Sequence, residues 1–169
     1  SNAKALVLPG VGAYKDAYRN LKKLNLIEVL KENIRKKVFL GICLGMQLLF
    51  EYSMEDGKNK GLGILEGYIE KIPKVVKVPH MGWNQLNILK SNSKIFSGIE
   101  EGNNFYFVHS YYVIPENKFV VSSTTGYGIK IAASIEKDDI YGVQFHPEKS
   151  SAGGLKLLEN FCNIVKEKG

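Results

Sequence analysis

The sequence predicts an α/β fold in which early parallel strands are extended by later antiparallel pairs. Two short, continuous apolar runs, ALVL at 5–8 and VFLGI at 38–42, each lead through a glycine-bearing turn into a stretch of helical periodicity. That is the pattern of strands covered on both faces. The second half holds closely spaced segments rich in β-branched and aromatic residues with partial alternation, which points to strands pairing with near neighbours. Together these make an α/β sheet rather than separate α and β units.

In order along the chain, ALVL ends in the turn PGVG at 9–12. From Asp16 to Lys37 the apolar residues Ala17, Leu21, Leu24, Ile27, Leu30 and Ile34 recur every three or four positions, a helical stripe with a break expected near Asn25. VFLGI is a second buried strand, and LGMQLLFEY at 44–52 reads as a helix that fades into the polar stretch Ser53 to Lys60. GYIEKI, VVKV, WNQLNIL, NFYFVHSYYV and FVVSST follow as strands. IKIAASIE and IYGVQF flank Lys137-Asp138-Asp139, a hairpin turn. Leu155, Leu158, Phe161, Cys162 and Val165 mark a closing amphipathic helix, with Cys162 read as core.

The 169 residues are read as a single domain, 1–169, without repeats or linkers, and Ser1-Asn2-Ala3 as the remnant of a cleaved tag. The 23 Lys and Arg against 17 Asp and Glu give +6. Lys22, Lys23, Lys31, Arg35, Lys36 and Lys37 are interleaved with Glu and Asn on helical segments, a solvated face rather than a nucleic-acid stripe. Two cysteines make no disulfide framework, and no run has the length of a membrane span. A cytoplasmic protein is expected. No cluster of Cys, His and carboxylates has metal-ligand spacing, so neither metal nor cofactor is expected.

Cys43 stands between Gly41 and Gly45 in GICLG, where a buried strand turns into a helix. An abrupt strand-to-helix turn lifts its middle residue clear of the sheet, the arrangement of a nucleophile elbow. Glycines fit there because side chains would collide with neighbouring backbone. The amides opening the helix are expected to favour thiolate and to stabilise an oxyanion. Read alone, GxCxG equally suits an inert buried thiol. A nucleophile needs a base. His146, in GVQFHPEKS, closes a strand-like run, and Glu148 lies two residues on, on the same side if the backbone is extended. That carboxylate can hold the imidazole in one tautomer. His109, inside an apolar strand, reads as structural, and His80 as packing or pocket wall.

Taken together, GICLGMQ, FHPEKSS at 145–151 and the PGVG loop resemble the class I glutamine amidotransferases. PHMGWN at 79–84 and YFVHSYY at 106–112 narrow the resemblance to the glutaminase subunits of imidazole glycerol phosphate synthases. The resemblance implies a doubly wound, mixed sheet with central parallel strands and a Cys-His-Glu triad of Cys43, His146 and Glu148. It implies an oxyanion hole from the backbone of Gly10, Val11, Gly12 and Leu44, glutamine binding by Gln47, Gly12, Ser110 and Tyr111, and a partner-facing surface at Met81, Trp83 and Tyr111. L-Glutamine would be hydrolysed through a γ-glutamyl thioester, and a (β/α)8-barrel cyclase, joined as a heterodimer, would take the ammonia and raise the activity. Chains of the family open with a further strand and helix carrying a D-Y-G-x-G-N type motif. That first βα unit has no counterpart here, so the sheet should expose an unpaired edge. Two other readings stand beside this one: the same glutaminase feeding another acceptor, such as a sugar amidation, and a non-catalytic interaction or redox-sensing protein using Cys43 as a reactive thiol.

Overall fold

The computed structural model describes residues 3–168, so Ser1 and Asn2 of the expected tag remnant lie outside the described residues. β1 (Ala5–Gly10) leads to α1 (Tyr14–Lys23) and α2 (Ile27–Ile34), then to β2 (Val38–Cys43), α3 (Leu44–Gln47), β3 (Phe50–Ser53), β4 (Asn59–Lys60) and β5 (Leu65–Lys71). There follow β6 (His80–Gln85), β7 (Asn87–Ile88), β8 (Asn104–His109), β9 (Tyr111–Pro115), β10 (Val121–Tyr127), β11 (Ile129–Lys137), β12 (Ile140–Val143) and α4 (Ser151–Lys168).

The main sheet has the order β1-β2-β12-β11-β10-β7. β1, β2 and β12 run parallel, while β11, β10 and β7 alternate in direction. A second sheet, β4-β3-β5-β9, and the β6-β8 ribbon complete the strands. All six residues of β2 are buried, which explains its unbroken apolar run. Val38, Leu40 and Ile42 pack on Leu157, Phe161 and Ile164 of α4. Phe39 points the other way, into a cluster with Ile34 of α2 that Ala17 and Leu21 of α1 flank. Helices therefore cover both faces of the sheet, as the resemblance implies. Among the described residues β1 ends the sheet, with β2 on one side and Val7 51% exposed, so that edge is open. No helix among the described residues is long and apolar enough to cross a membrane.

The long helical stripe divides near Asn25, as its spacing predicts, through a residue with φ 54°. Elsewhere tertiary pairing overrides local pattern. The helix expected over 44–52 stops after one turn, because Phe50–Ser53 becomes a strand paired with β5. VVKV at 75–78 forms turns and not a strand. NFYFVHSYYV is two strands broken at Ser110, serving different sheets. The closing helix is present but its phase differs: Gly154, Leu157, Asn160, Phe161 and Ile164 face inward. Cys162 is exposed, not core, and Leu155 is exposed too. The stripe through 154, 157, 161 and 164 keeps Leu157 and Phe161 on the sheet, and that turns Cys162 to the outside.

This phase is testable by urea unfolding. Phe161→Ala should lower stability by about 3–5 kcal/mol, whereas Cys162→Ser should stay within about 0.5 kcal/mol of the parent.

Candidate active site

Cys43 ends β2 with φ 52° and ψ −110°, a conformation a non-glycine residue rarely adopts. Its neighbours explain how the turn is held. A Cβ on Gly41 would sit 2.8 Å from the backbone of Gly45 and Met46, and one on Gly45 would drive into the carbonyl oxygen of Leu8 on β1. The glycines on either side of the cysteine thus let α3 cross directly over β1 and β2. That crossing turns the sulfur out of the sheet and into a cavity of about 340 Å³.

Val11, Gly12, Leu44, Gln47, Ser110 and Tyr111 line this cavity with Cys43. Gly10 sits behind them, level with Cys43 in the β1–β2 register and packed on Leu44. Gly12 has φ 92°, so the PGVG turn needs glycine at its last position. Met81 and Trp83 are 61% and 53% exposed on β6, which follows the lining residue Pro79.

His146 reaches the same region by sheet register. β12 lies parallel to β2, with Val143 opposite Ile42, so Gln144 comes level with Cys43 and His146 lies two residues beyond. The link to Glu148 forms, though not by the extended backbone expected from the spacing. Pro147–Lys149 is a single 3-10 turn, and His146 Nδ1 meets Glu148 Oε1 at 2.7 Å across it. Ser150 Oγ donates to the His146 carbonyl at 2.6 Å and accepts from Tyr106 N–H, which clamps the turn. With Nδ1 held, His146 Nε2 is buried and has no hydrogen-bond partner among the described residues. A neutral imidazole fixed by a carboxylate at Nδ1 is a base at Nε2.

The helix was expected to favour thiolate, but burial wins: it pushes the Cys43 thiol up to about 11, against the Leu44 N–H and the Gln144 side chain, which pull it down. A single turn of helix contributes too little to reverse that. The sulfur is a protonated thiol near neutral pH, so attack on a carbonyl requires a base to take its proton.

Three contributors escape sequence reasoning. Glu55 lines the cavity, where its carboxylate also accepts from the Tyr14 N–H at 2.7 Å; it sits in the polar stretch after 52, with no pattern to single it out. Gln144 is fully buried, donates to Cys43 Sγ at 3.5 Å and accepts from Gln47 Nε2 at 3.0 Å. A lone amide within the buried run GVQF was a signal, since such a group must find partners. His109 lines the cavity while its ring bonds the Tyr111 carbonyl at 2.8 Å and His80 at 3.0 Å. His80 is stacked on Phe107 and Tyr127.

The family model for glutamine amidotransferase class-I matches residues 1–165. Imidazole glycerol phosphate synthase subunit HisH of Aquifex aeolicus (strain VF5) is 56% identical over 162 residues, spanning 95% of this chain and 78% of that one. The HisH subunit of Moorella thermoacetica is 48% identical, over 99% of this chain and 80% of its own. A crystal structure of a glutamine amidotransferase superposes with a TM-score of 0.72 at 16% identity, covering 96% of this chain and 79% of that chain. A glutamine amidotransferase from Thermotoga maritima gives 0.64 at 20%, covering 98% and 65%. At such identities these two structures bear on the fold alone.

The His80–His109 pair generates a pH prediction. Burial lowers both imidazoles to about 4, from an ordinary 6.5. The unfolded chain takes up protons near 6.5 that the folded pair refuses, so stability should fall as pH drops from about 6.5 towards 4. Urea midpoints measured between pH 7 and 5 should decline, and His80→Gln, which keeps a donor for His109 Nε2, should decline less steeply.

Proposed function

The chain belongs to the class I glutamine amidotransferases, and from that premise we propose that it is the glutaminase subunit of an imidazole glycerol phosphate synthase. It hydrolyses L-glutamine to glutamate and ammonia. One observation carries the mechanism: an elbow cysteine opens into a cavity beside the strand that leads to His146, whose Nδ1 is held by Glu148 while Nε2 has no partner among the described residues.

Cys43 Sγ attacks the side-chain amide carbon of glutamine as its proton passes to His146 Nε2. The C–O double bond opens, and the oxyanion is met by backbone N–H groups of Leu44 and the Gly10–Gly12 turn. Glu148 stabilises the imidazolium and keeps its orientation. The tetrahedral intermediate collapses by breaking C–N. The nitrogen takes the proton from His146 and leaves as ammonia, and a γ-glutamyl thioester remains. Water then attacks the thioester, giving its proton to His146, and the thiol is reprotonated as glutamate leaves. Within the cavity Glu55 is the anion suited to the α-ammonium of glutamine, with Gln47, Ser110 and Tyr111 as polar contacts along the rest of the substrate.

Ammonia released to water would be lost, so the product needs a receiving chain. The names of the relatives make HisH one subunit of a synthase. The receiving chain here is the cyclase, which folds as a (β/α)8 barrel and forms a heterodimer with this chain. Exposed Val11 on the cavity wall and exposed Met81 and Trp83 on β6, the strand that follows the lining residue Pro79, support that placement, because solvated apolar side chains near a site mark a contact surface. The free thiols fit a reducing cytoplasm.

Assays of glutamate release with the cyclase present check the roles. Cys43→Ala should leave no detectable turnover, and His146→Ala should lose at least about a hundredfold in kcat. Glu55→Gln should raise KM about tenfold or more with a smaller change in kcat, as expected when a charge-assisted contact to bound substrate is removed. Normal turnover in Cys43→Ala or His146→Ala would end the triad assignment.

A further inference from the structure

Beyond the triad, a directed chain of hydrogen bonds ends on the nucleophile. It starts from an atom with no choice of role: the Tyr111 carbonyl oxygen can only accept. Both groups that bond it, His109 Nδ1 at 2.8 Å and Gln47 Nε2 at 3.0 Å, must therefore donate. His109 then carries its proton on Nδ1, so its Nε2 accepts, and His80 Nδ1–H supplies the bond at 3.0 Å. On the other side, the second hydrogen of Gln47 Nε2 goes to Gln144 Oε1 at 3.0 Å. With its oxygen so occupied, Gln144 must turn its NH2 group toward Cys43 Sγ, 3.5 Å away. Flipping either amide would set two donors or two acceptors face to face in a buried site. Gln144 is wholly buried and Gln47 nearly so, so solvent cannot relieve such a mismatch.

We propose that the Gln144 carboxamide is a further member of the catalytic machinery, a donor that stabilises the Cys43 sulfur as it becomes thiolate, with the Gln47, Tyr111, His109 and His80 chain positioning it. The proposal rests on the reading of Cys43 as the nucleophile. A hydrogen bond from a neutral N–H to sulfur strengthens when the sulfur acquires charge, so this donor acts more on the reacting state than on the resting thiol. The preorganised chain means that no amide has to rotate as the charge develops. The other titratable groups around the sulfur and its cavity are His146, Glu148, Lys149, His109, Glu55 and Tyr111. All are retained in the variants below, so a change there reports position 144.

The test uses a Cys162→Ser background, leaving Cys43 as the single thiol, with two variants. Gln144→Met fills the space without a donor. Gln144→Glu keeps the size and the bond from Gln47 but replaces the donor with a carboxylate. Thermal unfolding shows whether each variant folds, and if Gln144→Met does not, Gln144→Glu carries the test. The probe is iodoacetamide at pH 8.5, where the alkylation rate follows the thiolate fraction. The expected rate falls about tenfold in Gln144→Met and further in Gln144→Glu, with kcat for glutamine in the cyclase complex falling in the same order and KM within about threefold. A merely structural amide predicts the opposite order, because Glu preserves the packing and the Gln47 bond. Alkylation rates equal to the background, or a loss confined to KM, would overturn the proposal. If the background protein alkylates at Cys43 but turns over no glutamine, the glutaminase reading fails while alkylation still decides the role of Gln144.

Discussion

The site depends on one steric arrangement, the passage of α3 across the ends of β1 and β2 with no side chain between the backbones. At Gly41 and Gly45 even a methyl group would meet peptide atoms. The close crossing leaves Cys43 no ordinary conformation, and its φ of 52° is a strain of about 1–3 kcal/mol. The completely buried β2, packed on α4 from one face and on the α1–α2 layer from the other, holds that strain in place. A looser core would let the elbow relax and draw the sulfur back among the hydrocarbon side chains.

Once the elbow is fixed, the parallel pairing of β2 with β12 brings the remaining chemistry alongside. The register that sets Val143 opposite Ile42 delivers Gln144 to the sulfur and carries the chain on to His146. The firm hydrogen bonds in this region are supporting ones: Glu148 to His146, Ser150 to the His146 carbonyl, His109 and Gln47 to the Tyr111 carbonyl. By contrast, Nε2 of His146 has no partner among the described residues, and the sulfur is met by two neutral donors, the Leu44 N–H and, at 3.5 Å, the Gln144 side chain. The supporting shell is saturated and the reacting atoms are left available, as transition-state stabilisation by preorganised groups requires. Burial keeps the thiol protonated at rest, so reactivity waits on a base and on donors that strengthen with charge.

The same division separates what is legible in the chain from what is not. GICLG announces the elbow because its steric demand is local: glycine at 41 and 45 and a polarisable nucleophile between them. HPE announces the base and its orienter because two residues suffice to bring Nδ1 and Oε1 together, although a 3-10 turn achieves it and not a strand. The short helix after Cys43 and the outward face of Cys162 depart from the local pattern for a shared reason. Each is decided by what packs or pairs with the segment from elsewhere, Phe50–Ser53 by β5 and Cys162 by the sheet face that Leu157 and Phe161 occupy.

By itself, then, the sequence determined which residues can do the chemistry and where the backbone must turn, since residue type and near-neighbour sterics travel with the chain. Only the tertiary structure decided which way the buried amides face, that His80 and His109 are hydrogen-bonded to each other, and that Glu55 enters the cavity. Gln144 meets Gln47 across 97 residues and Cys43 across 101. The direction of those bonds is imposed by one backbone carbonyl, on Tyr111, that no local pattern could have brought to the nucleophile.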